Sequence, residues 1–109
     1  MDKEEVVGIV RRYVDVVKAE FHVTKVILFG SYAAGNPRKH SDIDVAVVVE
    51  KLETDVLTAE FILHKLRRDI DYRIEPVLFL EGYDPAGFLE HVEETGVVVY
   101  SAIGVALGN

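Results

Sequence analysis

Apolar and polar positions at the start of the chain follow first the period of a helix and then that of a strand. Asp2 and Glu5 have the spacing of a helix-capping box, and apolar residues then recur at helical spacing to about Phe21. Residues 24–29 are mostly apolar and β-branched, and they stop at Gly30, as a buried strand does. The pattern predicts a helix followed by a strand.

The middle of the chain predicts a loop, a central strand and a second long helix. Residues 35–41 contain Gly, Pro and polar side chains that disfavour regular structure. Residues 42–49 alternate at first and then become continuously apolar, which is typical of a strand in the centre of a sheet. Residues 54–69 carry a single apolar stripe at helical spacing.

The last third of the chain predicts a strand, a helix and a short closing strand. Residues 73–80 have a strand pattern, in which Pro76 indicates an edge or a bulge because proline cannot donate to the ladder. Asp84-Pro85 is a helix start signal and Gly96 is a stop signal, followed by a short apolar strand at residues 97–100. Helices and strands in this mixture predict the α/β (α+β) class.

The composition of the chain predicts a single domain and limits the kinds of ligand and partner that it can bind. The chain has 109 residues, of which half are hydrophobic and 28% are charged, so we expect one globular domain over residues 1–100 and a tail over 101–109. Its apolar runs are shorter than the roughly 18 residues that span a bilayer, and its start is acidic, so we expect a cytoplasmic protein without membrane contact. Because there is no cysteine, a metal ion would need oxygen or imidazole ligands. The formal net charge of -7 opposes binding of a long nucleic acid.

Candidate chemistry is concentrated at two strand ends. Asp42 and Asp44 are two apart in a strand and therefore share one face. Adjacent carboxylates repel unless a cation neutralises them, and Mg²⁺ is commonly held by one or two carboxylates together with substrate phosphates. Gly30 allows a phosphate to approach the backbone, and Ser31 at the start of a helical turn can donate to its oxygens. These residues predict a metal site beside a phosphate site.

Gly30-Ser31, ten intervening residues and then the Asp42-Ile43-Asp44 triplet, with Ser41 immediately before it, make this sequence resemble a known family. It resembles the minimal nucleotidyltransferases of the DNA polymerase β-like superfamily, in detail from the first strand to the second and in element order over nearly the whole chain. The resemblance implies a polymerase β-like fold, with a small mixed sheet flanked by helices. It also implies transfer of a nucleoside monophosphate from ATP or another nucleoside triphosphate, with two Mg²⁺ ions.

The resemblance implies a third carboxylate on the following strand. Glu75 occupies the place where the family usually has an aspartate. Asp71 is the alternative, because it is four positions earlier and would point to the same side of an extended chain. Ala34 stands where relatives often carry an arginine, so Arg38 or Lys39 could contact the triphosphate instead, although the same basic cluster could equally be a solvated loop. The predicted catalytic and metal-binding residues are Asp42, Asp44 and Glu75, and the predicted nucleotide-binding residues are Gly30, Ser31, Arg38, Lys39 and Ser41.

The resemblance also implies a partner protein, because minimal nucleotidyltransferases are often paired with a HEPN-domain toxin. The chain would then be an antitoxin that transfers AMP to a tyrosine of the toxin. Two other hypotheses stay open. One is a degenerate binding module that neutralises its partner by occlusion, with the apolar tail at 102–107 as a candidate contact surface. The other is an enzyme acting on a small-molecule hydroxyl, whose acceptor pocket would require a homo-oligomer.

Overall fold

A computed structural model of the chain describes residues 2–37 and 41–102. Four helices and four strands follow one another in these residues: α1 (Lys3–Lys18), β1 (Val23–Phe29), α2 (Ser31–Ala34), β2 (Ile43–Val49), α3 (Val56–Leu66), β3 (Ile74–Leu80), α4 (Phe88–Thr95) and β4 (Val97–Ser101). The strands lie close to where the sequence pattern predicts them, and the helix ends differ most.

The four strands form one mixed sheet in the order β3-β2-β1-β4. β1 is antiparallel to both β2 and β4, whereas β2 and β3 are parallel. The continuously apolar strand β2 is internal, as its pattern predicts. β3 is an edge strand, which confirms the interpretation of Pro76, because an edge position needs no ladder hydrogen bond from proline on its open side.

The sheet buries a different core on each of its faces. Helices α1 and α3 cover the first face, and the residues of β2 that point toward them, Ile43, Val45 and Val47, are fully buried. Helix α4 covers part of the second face, where Ala46 and Val48 of β2 contribute to a smaller buried cluster. Alternate residues of one strand thus enter two separate cores, as the period of two requires.

The first helix begins where the sequence predicts and ends earlier. Asp2 is its N-cap, and the carboxylate of Asp2 accepts a hydrogen bond of 2.8 Å from the backbone N–H of Glu5. The helix ends at Lys18, because the chain turns there to enter β1. Phe21 lies beyond this end, yet it still packs against the core, and this explains why the apolar pattern continues through the turn.

The other two long helices are shorter than predicted. α3 ends at Leu66, and a 3-10 turn over Arg67–Asp69 replaces its predicted last turn. α4 begins at Phe88, so the predicted start at Asp84-Pro85 is wrong. Asp84 nevertheless acts as a cap from a distance, because its carboxylate accepts hydrogen bonds of 3.0 Å from the backbone N–H groups of both Leu89 and Glu90.

In residues 2–37 and 41–102, every helix is too short or too polar to cross a membrane. Three further sequence predictions concern residues outside the described ranges. They are the proposed triphosphate contacts of Arg38 and Lys39, and the proposed contact surface of the tail beyond Ala102.

Candidate active site

Gly30 lies at the point where the end of β1 comes closest to the acidic residues of β2. The register places Phe29 opposite Asp44, so the next residue passes directly beside the Asp44 side chain. Gly30 has φ 74° and ψ -152°, a conformation that is open almost only to glycine. A Cβ atom added at this position would collide with the Oδ2 atom of Asp44. The structure therefore requires glycine here for both conformation and space.

Ser31 is the first residue of the short helix α2, and Gly30 occupies its N-cap position. The first backbone N–H groups of a helix have no carbonyl partner within the helix, so those of α2 face the end of β1. The Ser31 side chain makes no hydrogen bond to any other part of the chain that the structure describes. This hydroxyl is thus available to a ligand beside Gly30.

Three carboxylates lie in the same region of the second face of the sheet, at the edge where β2 and β3 begin. Asp44 is half-buried and pairs in register with Glu75 of the parallel strand β3, while the exposed Asp42 precedes Asp44 by two positions. Burial raises the pKa of Asp44 above its ordinary value, and the negative charges of Asp42 and Glu75 raise it further. Half-buried Ser41 comes directly before this group. The structure therefore brings the predicted acidic residues together.

The third carboxylate, Glu75, has a cationic neighbour. The Nη1 atom of Arg67 lies 3.5 Å from the Oε2 atom of Glu75 and also donates to the backbone carbonyl of Ile74 at 2.7 Å. Among residues 2–37 and 41–102, no three His, Asp or Glu side chains are already arranged to hold a metal ion. For Glu75 to join Asp42 and Asp44 as a ligand, its side chain must turn away from Arg67.

Asp71, the alternative third carboxylate, is already hydrogen-bonded to Arg73. Its carboxylate accepts hydrogen bonds from the Arg73 backbone N–H at 2.8 Å and from the Arg73 guanidinium at 2.7 and 3.0 Å. The bonds from Arg73 lower the pKa of Asp71 below its usual value. A carboxylate held by three such bonds has few lone pairs left for an ion, so the geometry favours Glu75.

The donor set and its charge fit a hard divalent cation. Asp42 and Asp44 offer oxygen ligands two positions apart, and burial together with the charges of Asp42 and Glu75 raises the pKa of Asp44, so a bound cation would favour its charged form. Mg²⁺ retains several water ligands and usually takes one or two carboxylates together with substrate phosphates. Two carboxylates meet that need, and Asp44 packs directly against Gly30, which also lines a neighbouring cleft.

A cleft of about 440 Å³ opens next to Gly30 and Ser31, between α2 and α4. Aromatic rings form part of its wall: Phe29 and Phe88 are edge to face with their centroids 5.9 Å apart. His91 of α4 also lines this cleft. Phe88 and His91 were not predicted as site residues, because they lie on a helix that is distant in sequence from the motif.

A family model describing polymerase beta nucleotidyltransferases matches residues 12–102, which is most of the chain. The chain belongs to the polymerase β nucleotidyltransferase family. This match includes every element that forms the site, from the second half of α1 to β4. It confirms the polymerase β-like fold that the Gly-Ser and Asp-x-Asp motifs predict.

A relative from Methanocaldococcus jannaschii supports the same assignment. This protein, MJ0141, is assigned by name as a protein adenylyltransferase, and it is 34% identical to the present nucleotidyltransferase over 77 residues. The aligned region covers 69% of this chain and 77% of the relative. The similarity therefore extends over most of both proteins.

Solved structures share the fold at lower sequence identity. A Sulfolobus solfataricus protein assigned as a nucleotidyltransferase superimposes with a TM-score of 0.68 at 20% identity, covering 93% of this chain and 85% of the other. A toxin-antitoxin complex solved with AMP-PNP gives a TM-score of 0.62 at 21% identity, covering 94% of this chain and 75% of the other. A mutant of the toxin-antitoxin pair MntA-HpeT gives 0.59 at 19% identity, covering 94% and 75%. At these identities the similarity establishes the fold.

Proposed function

We propose that this nucleotidyltransferase transfers AMP from ATP to a hydroxyl group that another molecule supplies. The observation that carries the proposal is the convergence of Asp42, Asp44 and Glu75 beside Gly30, at one edge of the sheet. Phosphoryl-transfer enzymes work mainly by positioning the reactants and neutralising charge, and this arrangement offers both functions within a few residues.

Each residue of the site has a part in binding the nucleotide. The α2 end of the site, at Gly30 and Ser31, would receive the phosphates, with Ser41 close to the carboxylates. The base and sugar would occupy the cleft lined by Phe29 and Phe88. Arg38 and Lys39 remain the candidates for contact with the triphosphate, because they follow α2 in the sequence.

The carboxylates would hold the ions on which the reaction depends. Asp42 and Asp44 would hold one Mg²⁺, and Glu75 would share a second after leaving Arg67. Two bound Mg²⁺ ions would neutralise the triphosphate and lower the pKa of the acceptor hydroxyl. In the transfer step a bond forms between the acceptor oxygen and the α-phosphorus, and the bond from the α-phosphorus to the bridging oxygen breaks. Pyrophosphate leaves, and the acceptor proton passes to solvent.

The biological acceptor in this proposal is a tyrosine of a HEPN-domain toxin, with the present chain as the antitoxin. The support comes from two sources. The M. jannaschii relative is named as a protein adenylyltransferase, and two of the solved structures with this fold are toxin-antitoxin proteins, one of them in complex with AMP-PNP.

A second candidate function is a binding module that neutralises its partner by occlusion. The contact between Arg67 and Glu75 favours it, because this contact leaves the three carboxylates short of a complete metal site. The two functions differ in their dependence on Mg²⁺, which makes them separable in one measurement.

Calorimetric titration with ATP, with and without Mg²⁺, tests the proposal on the wild type, Asp44→Asn and Asp71→Asn. Asp71→Asn is the matched control, since it removes a carboxylate from the same region that is bonded to Arg73. We expect Mg²⁺-dependent binding that is lost in Asp44→Asn and retained in Asp71→Asn. Absence of ATP binding in the wild type would support the occlusion module instead. Equal binding by the wild type and Asp44→Asn would refute the assigned role of Asp44.

A further inference from the structure

A basic and aromatic groove lies on the outer side of α3, beside the edge strand β3. It encloses about 240 Å³ and is lined by Phe61, His64, Lys65, Arg67, Arg68 and Tyr72, a set called here the α3 groove. Three of the 12 Lys and Arg residues of the chain are in this set, although the formal net charge of the whole is -7. The α3 groove is therefore a local cationic surface on an acidic protein.

The aromatic members of the α3 groove are exposed without a structural reason. Phe61 is 64% exposed and Tyr72 is 74% exposed, and Leu57, one helical turn before Phe61, is 77% exposed. Helix α3 buries Ala59 and Leu63 on its other side, so these exposed side chains contribute nothing to the core. A cluster of large apolar side chains next to polar groups is typical of an interaction site.

The position of the α3 groove relative to the candidate active site is fixed by Arg67. Its guanidinium lines the groove and also contacts Glu75, which pairs in register with Asp44. The α3 groove lies at the β3 edge on the side of the sheet that α3 covers, whereas the carboxylates of β3 and β2, and then Gly30 at the end of β1, follow from that edge on the other face. The cleft assigned to the nucleotide lies beyond Gly30, on the opposite side of the carboxylates.

We infer that the α3 groove docks the acceptor protein through a segment in which acidic and apolar side chains flank the hydroxyl that receives AMP. This inference rests on the proposed function, which places the nucleotide on one side of the carboxylates and leaves the other side to the acceptor. The acidic remainder of the chain would repel an acidic segment elsewhere, so charge directs that segment to Lys65, Arg67 and Arg68. Phe61 and Tyr72 supply apolar contacts for side chains beside the acceptor residue.

A protein segment fits this surface better than RNA does. An RNA strand would also find cations and aromatic rings in the α3 groove. However, it would have to run past Glu75, Asp44 and Asp42 to bring a hydroxyl to the reaction centre, and these three carboxylates would repel its phosphates along that path. A short acidic segment contacts the cations and ends at the carboxylates.

Fluorescence anisotropy with a short labelled peptide, in which a central tyrosine is flanked by glutamate and leucine, tests the inference on the intact chain. The test variant is Lys65→Glu/Arg68→Glu, which reverses two charges of the groove and spares Arg67, because Arg67 contacts the active site. The matched control is Lys3→Glu/Arg11→Glu, which makes the same charge change at exposed positions of α1. We expect the test variant to weaken peptide binding by about tenfold or more, and the control to change it by much less.

Two further binding measurements test the roles of charge and of the aromatic side chains in peptide docking. A peptide with lysine in place of glutamate should not bind, and Phe61→Ala should weaken binding of the acidic peptide. The inference is overturned if the acidic peptide does not bind, or if it binds the test variant and the control equally. It is also overturned if a single-stranded oligouridine binds the α3 groove with the same charge dependence and the acidic peptide does not.

Calorimetry with Mg²⁺ and ATP separates a failure of this inference from a failure of the proposed function. Both charge-reversal variants should bind ATP as the wild type does, because neither alters a residue assigned to the nucleotide. If ATP binds and the acidic peptide does not, only the docking inference fails. If the peptide binds through the α3 groove and ATP does not bind, the groove is a docking surface and the proposed enzymatic function fails.

Discussion

The two faces of the sheet are covered to different degrees, and the candidate active site lies on the face that is covered less. On the first face, α1 and α3 enclose a large cluster of buried residues, including the fully buried Tyr13. On the second face, α4 encloses only a small cluster and leaves a cleft of about 440 Å³ open beside Gly30. Stability is thus concentrated on one face, while the other keeps a half-buried carboxylate and space for a ligand.

Replacing one leucine on each face with alanine should show the largest difference in stability between the two faces. Leu63→Ala removes a side chain of the first face that is 1% exposed, and should cost about 2–5 kcal/mol of unfolding free energy through lost burial and a cavity. Leu89→Ala removes a side chain of the second face that is 7% exposed and lines a small surface pocket of about 110 Å³, so it should cost about 2 kcal/mol or less. Urea denaturation of both variants measures the difference. Equal costs would mean that the two faces contribute equally to stability.

Gly30→Ala should combine a moderate loss of stability with a complete loss of Mg²⁺-dependent ATP binding. The positive φ angle and the collision with the Asp44 carboxylate should together cost about 1–3 kcal/mol. Gly82→Ala is the control, because Gly82 also has a positive φ (79°) but has open space around it and lies at the far end of β3. Thermal denaturation and calorimetry should show a loss of stability in both variants and a loss of binding in Gly30→Ala alone. Retained ATP binding in Gly30→Ala would contradict the proposed site.

Tyr13→Phe tests a buried polar contact on the first face. The Tyr13 hydroxyl donates a hydrogen bond of 2.7 Å to the backbone carbonyl of Leu63 and so joins α1 to α3, and its loss should cost about 1 kcal/mol. Burial raises the pKa of Tyr13 above its ordinary value of 10.0, so the folded state favours the protonated hydroxyl. The stability that this group contributes is present below pH 10 and should fall as the pH rises further. Urea denaturation at neutral and alkaline pH should therefore show the wild type losing its advantage over Tyr13→Phe. A constant difference would contradict the burial of this hydroxyl.

The smallest expected effect is a gain in stability in Asp44→Asn. Because burial and two neighbouring carboxylates raise the pKa of Asp44, its charged form is less favourable in the folded chain than in the unfolded chain. Removing the charge should raise the Tm by a few degrees at neutral pH in the presence of a chelator, a change that corresponds to about 1 kcal/mol or less. The gain should vanish at acidic pH, where the wild-type carboxyl is protonated. A lower Tm for Asp44→Asn at neutral pH would show that the charge is compensated within the fold.

Several features of the site follow from the sequence with little ambiguity. Asp42 and Asp44 are two positions apart, and residues at this spacing in a strand point to the same face. Their shared face could therefore be predicted before the fold was known. The requirement for Gly30 could also be predicted, although the reason given was phosphate approach and the structure adds the Asp44 side chain as a second one. The edge position of β3 follows from Pro76 by the same kind of local rule.

Other features could not be predicted because they depend on helix ends and distant packing. The predicted helix start at Asp84-Pro85 was wrong, because the bonds that Asp84 accepts cross a turn to Leu89 and Glu90, so α4 begins later than the local signal indicates. The contribution of Phe88 and His91 to the cleft beside Gly30 depends on where α4 packs across the sheet. The contact of Arg67 with Glu75 likewise requires the 3-10 turn that ends α3.

The sequence by itself determined the strands, the common face of the two aspartates and the family to which the motif belongs, because each of these depends on short-range periodicity and spacing. Only the tertiary structure decided that Glu75 is the partner of Asp44 and that Asp71 is bonded to Arg73. The parallel register of β2 and β3 brings together residues 31 positions apart in the chain, and it places Ile43 and Ile74 side by side in the first core. The period of a strand specifies which face each residue takes, whereas the choice of β3 as the neighbour of β2 depends on packing over the whole sheet.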